Sequence, residues 1–563
     1  MLSFKNFIKK KLNNLPLFSF IILYFSRKLK LSARALNSDF PISNKKEMLG
    51  YDEPFCCNKN NEGFYLRFFP TPNNNLYFIN KFYSLVRNHL FGYEILWAKK
   101  MKMFKISNKS FCNNIFAISH FEKKKQKFKI KTDKEKYEIE LEPEKYSYLN
   151  FKSKNVKIIS NKNFVLSKNF LGTKCKKKKM NKLVFVIFID GLSDFSNYSL
   201  FKKYAPETYN FFKKGYIFKN HFSNSEWTVP SCATIMTGKY THNHGIFHPN
   251  ANHDITKNNK LMSEFFQEND YITLMCNSGW RTSPGYGYVK GFDRTIYKKE
   301  ANASFLINES LNHINSFQSY NNFIYLGLND LHHNLDLVPP LDLQINNKPS
   351  LIYDLKNKKV VKSVNENLNK QKIEILKQNT LSLDKKLAVL YNYLDKFYKK
   401  NFVISILTDH GHSFMDNNTY ILSKTKTSIP FLLRADQKKK KSSQFINKIL
   451  SSNIDILPTL LKASGINQKY KHFDGINLLK NNEDKKILKR NILIESIYPN
   501  KKYEAKILDY KNAEYIFNLD NSINYNGRIN LKNRPNKQDL KAKLITNNIK
   551  IWNKKFVLNN KNF

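Results

Sequence analysis

The sequence predicts an α/β fold: a doubly wound sheet with helices on both faces, preceded by a smaller β-rich domain. Three observations predict it. Continuous apolar runs at Leu183–Ile189, Phe323–Leu328 and Phe402–Leu407 suit central parallel strands buried on both faces. Helical segments lie between these runs, notably 371–399, rich in Leu, Lys, Gln and Asn. Strands alternating with helices argue a doubly wound sheet. Ahead of them, from about 50 to 172, short segments alternate apolar and polar residues, which is the period of half-buried strands.

Taken in order, residues 1–48 read as a basic, helical lead-in. Met1 to Lys11 is basic, and Leu15 to Phe25 is apolar and followed by Arg27-Lys28. That run is shorter than the roughly 20 residues a spanning helix needs. It fits a signal-type apolar region or a basic helix lying on an anionic membrane surface. No clear cleavage site follows, so an uncleaved helix is expected. Residues 49–173 form the β-rich accessory domain, with alternation at Phe64–Phe68, Phe128–Lys131, Tyr137–Leu141 and Val156–Ile159. A sandwich is expected there. A basic linker occupies 174–182, with Lys176 to Lys179 in a row. The α/β domain spans 183–500. Residues 501–563, with short strands and many Asn and Lys, form a C-terminal subdomain.

A chain of 563 residues is too long for one ordinary domain. Its net charge of +50 comes from lysines spread along the whole chain, with no nucleic-acid module signature beside them. Specific nucleic-acid binding is therefore not expected. An anionic ester substrate, polysaccharide or lipid-linked, suits the charge, as does peripheral membrane contact. The six cysteines show neither C-x-x-C nor zinc-ribbon spacing, so free thiols in a reducing compartment are expected. The expected location is cytoplasmic or peripheral to the membrane, with secretion left open. Oligomeric state is not legible.

Three apolar strands each run into an aspartate: Ile189-Asp190-Gly191, Asn329-Asp330-Leu331-His332-His333 and Thr408-Asp409-His410-Gly411. Ligands of doubly wound sheets bind beyond the carboxyl ends of the strands. Carboxylate with imidazole suits zinc or manganese, and carboxylate alone suits magnesium or calcium. The alternative reading of the Asp330 cluster is loop capping. The segment Thr228-Val229-Pro230-Ser231-Cys232 reads as a loop entering a helix near Pro230, because proline favours a first helical turn. Thr228 would then sit where free N–H groups and the helix dipole favour an anion, or would serve as a plain N-cap. A hydroxyl is a poor nucleophile at neutral pH, and a divalent cation bound to it stabilises the alkoxide.

Thr228-x-Pro230-Ser231, with Thr237-Gly238-Lys239-Tyr240 behind it, resembles the signature of the sulfatases within the alkaline phosphatase superfamily. The continuation His242-Asn243-His244-Gly245 is also similar. So are Asp190-Gly191, Gly291-Phe292-Asp293, Asp330-Leu331-His332, Thr408-Asp409-His410-Gly411, Ile429-Pro430-Phe431, Asp455 to Leu460 and Asp474-Gly475, in family order over about 183–480. The resemblance implies an alkaline-phosphatase-like α/β/α sandwich and one or two divalent metals (Zn, Mn, Mg or Ca). It implies that Asp190, Asp409 and His410 hold the metal, with Thr228 as nucleophile and ligand. Lys239 would contact the transferred group, and His332 would protonate the leaving group. A second metal would draw on Asp330, His332 or His333, and His472.

The chain departs from that pattern. Sulfatases oxidise Cys or Ser at the nucleophile position to formylglycine, and threonine cannot follow that route. Cys232 stands at the arginine position, Gly191 replaces the second aspartate, and Ser278-Gly279-Trp280-Arg281 stands near the Gly-Lys-Trp-His element. Threonine is what phosphodiesterase and phosphoglycerol-transferase relatives use. The expectation is a sulfatase-family, metal-dependent hydrolase or transferase that cleaves a phosphodiester through Thr228. The alternatives are a sulfuric ester hydrolase without formylglycine and an inactive binding protein of the same fold.

Overall fold

The computed structural model describes most of residues 93–170, 182–332 and 367–522, with short strands at 55–57 and 62–68 and residue 550. The lead-in, nearly all of the linker, His333, His472 and most of the C-terminal subdomain lie outside the described residues.

The N-terminal strands are β1 (Phe55–Cys57), β2 (Glu62–Phe68), β3 (Tyr93–Ser107), β4 (Asn113–His120), β5 (Gln126–Thr132), β6 (Lys136–Leu141), β7 (Ser147–Lys152) and β8 (Asn155–Ser167). β8 pairs along β3, while its two halves pair on the other side with β5 and β4. A register shift between Met101 and Met103 interrupts the β3–β8 ladder, as a bulge does. The two branches share a core of Phe116, Phe128, Phe151, Ile158 and Phe164.

The α/β part begins with β9 (Leu183–Ile189), whose seven residues are all buried. There follow β10 (Tyr216–Phe218), β11 (His221–Phe222), β12 (Tyr271–Asn277), β13 (Arg294–Tyr297), β14 (Asn321–Leu328), β15 (Phe402–Leu407), β16 (Phe431–Ala435) and β17 (Ser451–Ser452). In space the order is β10-β16-β15-β9-β14-β12-β13, parallel from β15 to β13 and antiparallel at the β16 and β10 edge. Six helices matter for packing: α1 (Pro206–Phe212), α2 (Thr228–Thr237), α3 (Met262–Glu268), α4 (Ala303–Ser316), α5 (Lys370–Tyr393) and α6 (Ile456–Ala463). Val184, Val186 and Phe188 of β9 face a core with α2, α3 and α6. Leu183, Phe185, Ile187 and Ile189 face the opposite core, with α1, α4 and α5. Because side chains alternate along a strand, one uninterrupted apolar run supplies both faces of a three-layer sandwich.

The accessory strands do not stand apart. β13 pairs antiparallel with β3, so one 15-stranded sheet runs through both regions. Beside that junction the buried Arg294 guanidinium donates to Glu94 and lies over the Tyr148 ring. Leu96, Val165, Ile272 and Phe317 pack into the same seam. The C-terminal strands β18 (Ile492–Ser496), β19 (Lys502–Leu508) and β20 (Glu514–Ser522) form a separate antiparallel sheet. No helix among the described residues is long and apolar enough to cross a membrane.

Candidate active site

β9 lies between β14 and β15, so the aspartates that follow these three strands emerge side by side. All three are buried. Asp409 Oδ1 accepts the backbone N–H of His410 at 2.9 Å and that of Gly191 at 3.3 Å. This binds the β15 turn to the β9 turn. Asp409 Oδ2 and Asp190 Oδ1 are buried with no hydrogen-bond partner among the described residues. His410 Nδ1 donates to the Gly411 carbonyl at 2.8 Å. A carbonyl only accepts, so the ring proton sits on Nδ1 and Nε2 presents a lone pair. That Nε2 lies 3.2 Å from Asp409 Oδ2 and 4.0 Å from Asp190 Oδ1. His332 Nε2 lies 3.8 Å from Asp190 Oδ1, and donor atoms of Asp190, His332 and His410 all fall within 4.8 Å of one another.

Thr228 faces this cluster. It is the first residue of α2, and its Oγ1 lies 3.3 Å from His410 Nε2, to which it donates. The helix therefore starts two residues before Pro230. The residue ahead of it, Trp227, is extended and makes no side-chain cap. Pro230 fits within the first turn because the N–H it lacks has no intrahelical partner there. Thr228 is thus not the N-cap, and its hydroxyl is turned to His410 instead of its own helix. Ser231 anchors the turn: its hydroxyl donates to the Ser225 carbonyl at 3.2 Å and meets Ser223 Oγ at 3.1 Å, and Ser223 donates to the Asp409 carbonyl. Gly238, at φ +67°, closes the helix in the left-handed conformation that glycine favours.

Buried lone pairs converging without protons between them repel. Burial and the charge of Asp409 push the Asp190 carboxyl well above the usual carboxylate range, and the Arg281 cation opposes this. A divalent cation would relieve the repulsion, and two carboxylates with an oriented imidazole are a fitting donor set. Arg281, on the turn Trp280–Thr282 after β12, is the cation that sequence reasoning missed. The signal available was its position in the segment resembling Gly-Lys-Trp-His. Cys232, one turn beyond Thr228, is buried and its thiol is pushed well above normal by burial, Asp409 and Asp190. It supplies no positive charge there.

Other expected residues fall elsewhere. Lys239 stands past the far end of α2, about 15 Å along the axis from Thr228. Its Nζ donates to Asn259 Oδ1 at 3.5 Å, and burial lowers its pKa against the opposing pull of Asp474. The structure does not bring it to the nucleophile. Asp330 Oδ1 accepts the Ala303 N–H at 3.1 Å at the start of α4 and lies 3.9 Å from Lys386. It takes the first N–H of α4 from outside the helix, whose N-cap is Asn302, its side chain accepting the Phe305 N–H. With His333 and His472 outside the described residues, no second metal cluster appears among the described ones.

The sulfatase family model matches residues 182–466, half of the chain. The chain belongs to the sulfatase family. This sulfatase-family chain is also similar to solved structures. A 2-O GAG sulfatase shares 17% identity, covering 61% of this chain and 85% of that one, with a TM-score of 0.44. The phosphonate monoester hydrolase SpPMH of Silicibacter pomeroyi shares 13%, covering 60% and 89%, with a TM-score of 0.44. The C-terminal periplasmic domain of the phosphoethanolamine transferase EptC of Campylobacter jejuni shares 14%, covering 50% and 89%, with a TM-score of 0.37. None of the curated proteins matches this sulfatase-family chain.

Gly191, where the resemblance places a second aspartate, has φ +73°. A Cβ built on it would lie 2.7 Å from His412 Nε2. The His412 imidazole therefore fills the space a side chain at 191 would need. Burial and His410 push its pKa down to about 3, so it is neutral at physiological pH.

Proposed function

We propose that this sulfatase-family hydrolase or transferase cleaves a phosphodiester through Thr228. The observation that carries the reading is the Thr228 hydroxyl, first in its helix and 3.3 Å from His410 Nε2, facing the lone-pair cluster of Asp190 and Asp409. Threonine bars the formylglycine route but leaves direct attack by the hydroxyl open. Asp190, Asp409, His410 and Thr228 would hold a divalent cation, which when bound eases ionisation of a hydroxyl and offsets charge on phosphate oxygens.

In this reading Thr228 Oγ bonds to phosphorus as the ester bond opposite it breaks. The N–H groups of the first turn of α2 and the Arg281 guanidinium stabilise the equatorial oxygens. His332, beside Asp190, gives a proton to the departing alkoxide. Water or an acceptor hydroxyl then releases Thr228. The net charge of +50 supports an anionic substrate, a polysaccharide or a lipid-linked ester. Residues 49–173 and 501–563 flank the catalytic unit of 183–500.

The test is turnover of paired aryl phosphodiester and aryl sulfate substrates by wild type and Thr228→Ala. Phosphodiester turnover that Thr228→Ala reduces by at least about a thousandfold is expected, as for loss of a nucleophile. Turnover of the sulfate alone would sink the reading.

A further inference from the structure

Along the chain the lysines are evenly spread, but strand pairing gathers four of them into one line. Lys105 of β3 stands opposite Lys157 of β8, Lys157 opposite Lys131 of β5, and Lys131 opposite Lys136 of β6. Lys105, Lys131 and Lys136 are exposed, and Lys157 in the middle is partly so. All four lie on the outer face. Their chain neighbours Phe104, Ile106, Ile130, Val156 and Ile158 point the other way, into the core beneath, because side chains alternate along a strand.

The same face is otherwise balanced. Lys125 lies 3.0 Å from Glu142, Lys127 3.5 Å from Glu140 and Lys129 3.6 Å from Glu138. At the next facing pair of β5 and β6 the acid is missing, and Lys131 meets Lys136. The nearby turn does not supply one: Asp133 accepts from Ser153 Oγ, Asn155 Nδ2 and the Lys154 N–H. Like charges directly opposite one another destabilise a sheet. Strands lie about 4.8 Å apart, so four lysines are held in register across about 14 Å. An anion lying along the line would offset their repulsion.

We propose that the outer face of β3, β8, β5 and β6 is a docking surface for a linear acidic polysaccharide, lying across the strands along Lys105, Lys157, Lys131 and Lys136. The shape of the charge selects this partner. The line is one lysine wide. On one side stand Met103, Ile159 and the Lys129–Glu138 pair, and on the other the Ser107 hydroxyl donates to Asn155 at 2.6 Å. A bilayer presents a plane of charge and would meet the carboxylates of Glu138 and Glu140 on the same face. Single-stranded nucleic acid needs aromatic platforms for its bases, and neither the line nor its flanking rows carry an aromatic side chain. A sugar chain bearing carboxylate or sulfate groups fits a single row of cations, with Ser107 and Asn155 one row away for its hydroxyls. The surface is remote from the candidate active site. Tyr93 of β3 faces Tyr297 at the carboxyl end of β13, and β3 runs from there away from that end, so Lys105 lies up to about 40 Å along the strand. Binding here does not depend on which ester Thr228 cleaves.

The experiment titrates the full chain with dextran sulfate, polygalacturonate and neutral dextran at about 0.15 M salt. The line variant is Lys136→Glu with Lys157→Glu. Lys385→Glu with Lys462→Glu, two exposed lysines elsewhere, matches its change in net charge. Lys136→Glu places an acid opposite Lys131 and continues the ladder, so that single variant should resist denaturant at least as well as wild type. Both acidic polymers should bind and neutral dextran should not. Affinity should fall about tenfold or more in the line variant, with a shallower salt dependence, and less than about threefold in the charge-matched variant. Thr228→Ala should bind as wild type does, so loss of turnover in that variant bears on the catalytic reading alone. Absence of polysaccharide binding, or equal losses in the two double variants, overturns the proposal. So does binding of phosphatidylserine vesicles or single-stranded DNA that depends on the line while polysaccharide binding does not.

Discussion

Gly191→Ala isolates the tightest contact of the site. At φ +73° the backbone is left-handed, which costs an L-residue about 1–2 kcal/mol. The new methyl would also lie 2.7 Å from His412 Nε2 and 2.9 Å from its Cε1. Comfortable separation between such atoms is about 3.5–4.0 Å, so ring or backbone must shift by roughly 1 Å. Overpacking of that size costs about 1–3 kcal/mol. The sum is about 2–5 kcal/mol. The assay is denaturant unfolding of the metal-free full chain, for Gly191→Ala, His412→Ala and the double variant. In the His412→Ala background the steric part disappears and about 1–2 kcal/mol of backbone cost remains. The coupling between the two sites is therefore about 1–3 kcal/mol. A cost below about 1 kcal/mol for Gly191→Ala, or an equal cost in both backgrounds, would refute the reasoning. Because the Gly191 N–H donates to Asp409 Oδ1, the single variant should weaken metal binding as well.

Glu495 is fully buried beside the Tyr503 hydroxyl, which donates to it at 2.6 Å, and burial pushes its pKa from 4.5 to about 7. The folded state holds this proton more tightly than the unfolded one. Its stabilisation is complete below about pH 4.5 and is lost as pH rises through about 7. Glu495→Gln, which mimics the protonated acid, should flatten the stability profile across that window and stabilise the protein by about 3 kcal/mol at pH 8; an unchanged profile counts against it. Asp330→Ala should cost about 1–2 kcal/mol in unfolding measurements through loss of its bond to α4, with metal content unchanged. A drop in metal content would return Asp330 to the metal site. Arg281→Ala should raise the inhibition constant of inorganic phosphate about tenfold or more, whereas Lys239→Ala should leave it unchanged. Equal effects of the two would put Lys239 back at the transferred group.

What the linear chain carries is the pattern that repeats locally. The apolar runs at 183–189 and 402–407 are long enough and uniform enough to demand burial on both faces, and this specifies the central strands and the helices that cover them. Aspartates that end such strands are readable as site candidates for the same reason. Orientation is not readable. Asp190 and Asp330 end neighbouring strands, yet one carboxyl meets His332 and His410 while the other accepts the first N–H of α4. Which face a strand-end side chain takes depends on the helices packed beside it. Lys239 lies near Thr228 in sequence but is separated by the length of a helix, whereas Arg281, more than fifty residues away, is near enough to shift Asp190. The exchange of a side chain at Gly191 for the ring of His412 is likewise a tertiary event, because it needs β9 and β15 to be neighbours. The joining of the accessory strands to the main sheet depends on the β13–β3 pairing and the Glu94–Arg294 contact, between segments 200 positions apart. Sequence periodicity dictates which faces are buried; only three-dimensional packing decides which buried groups meet.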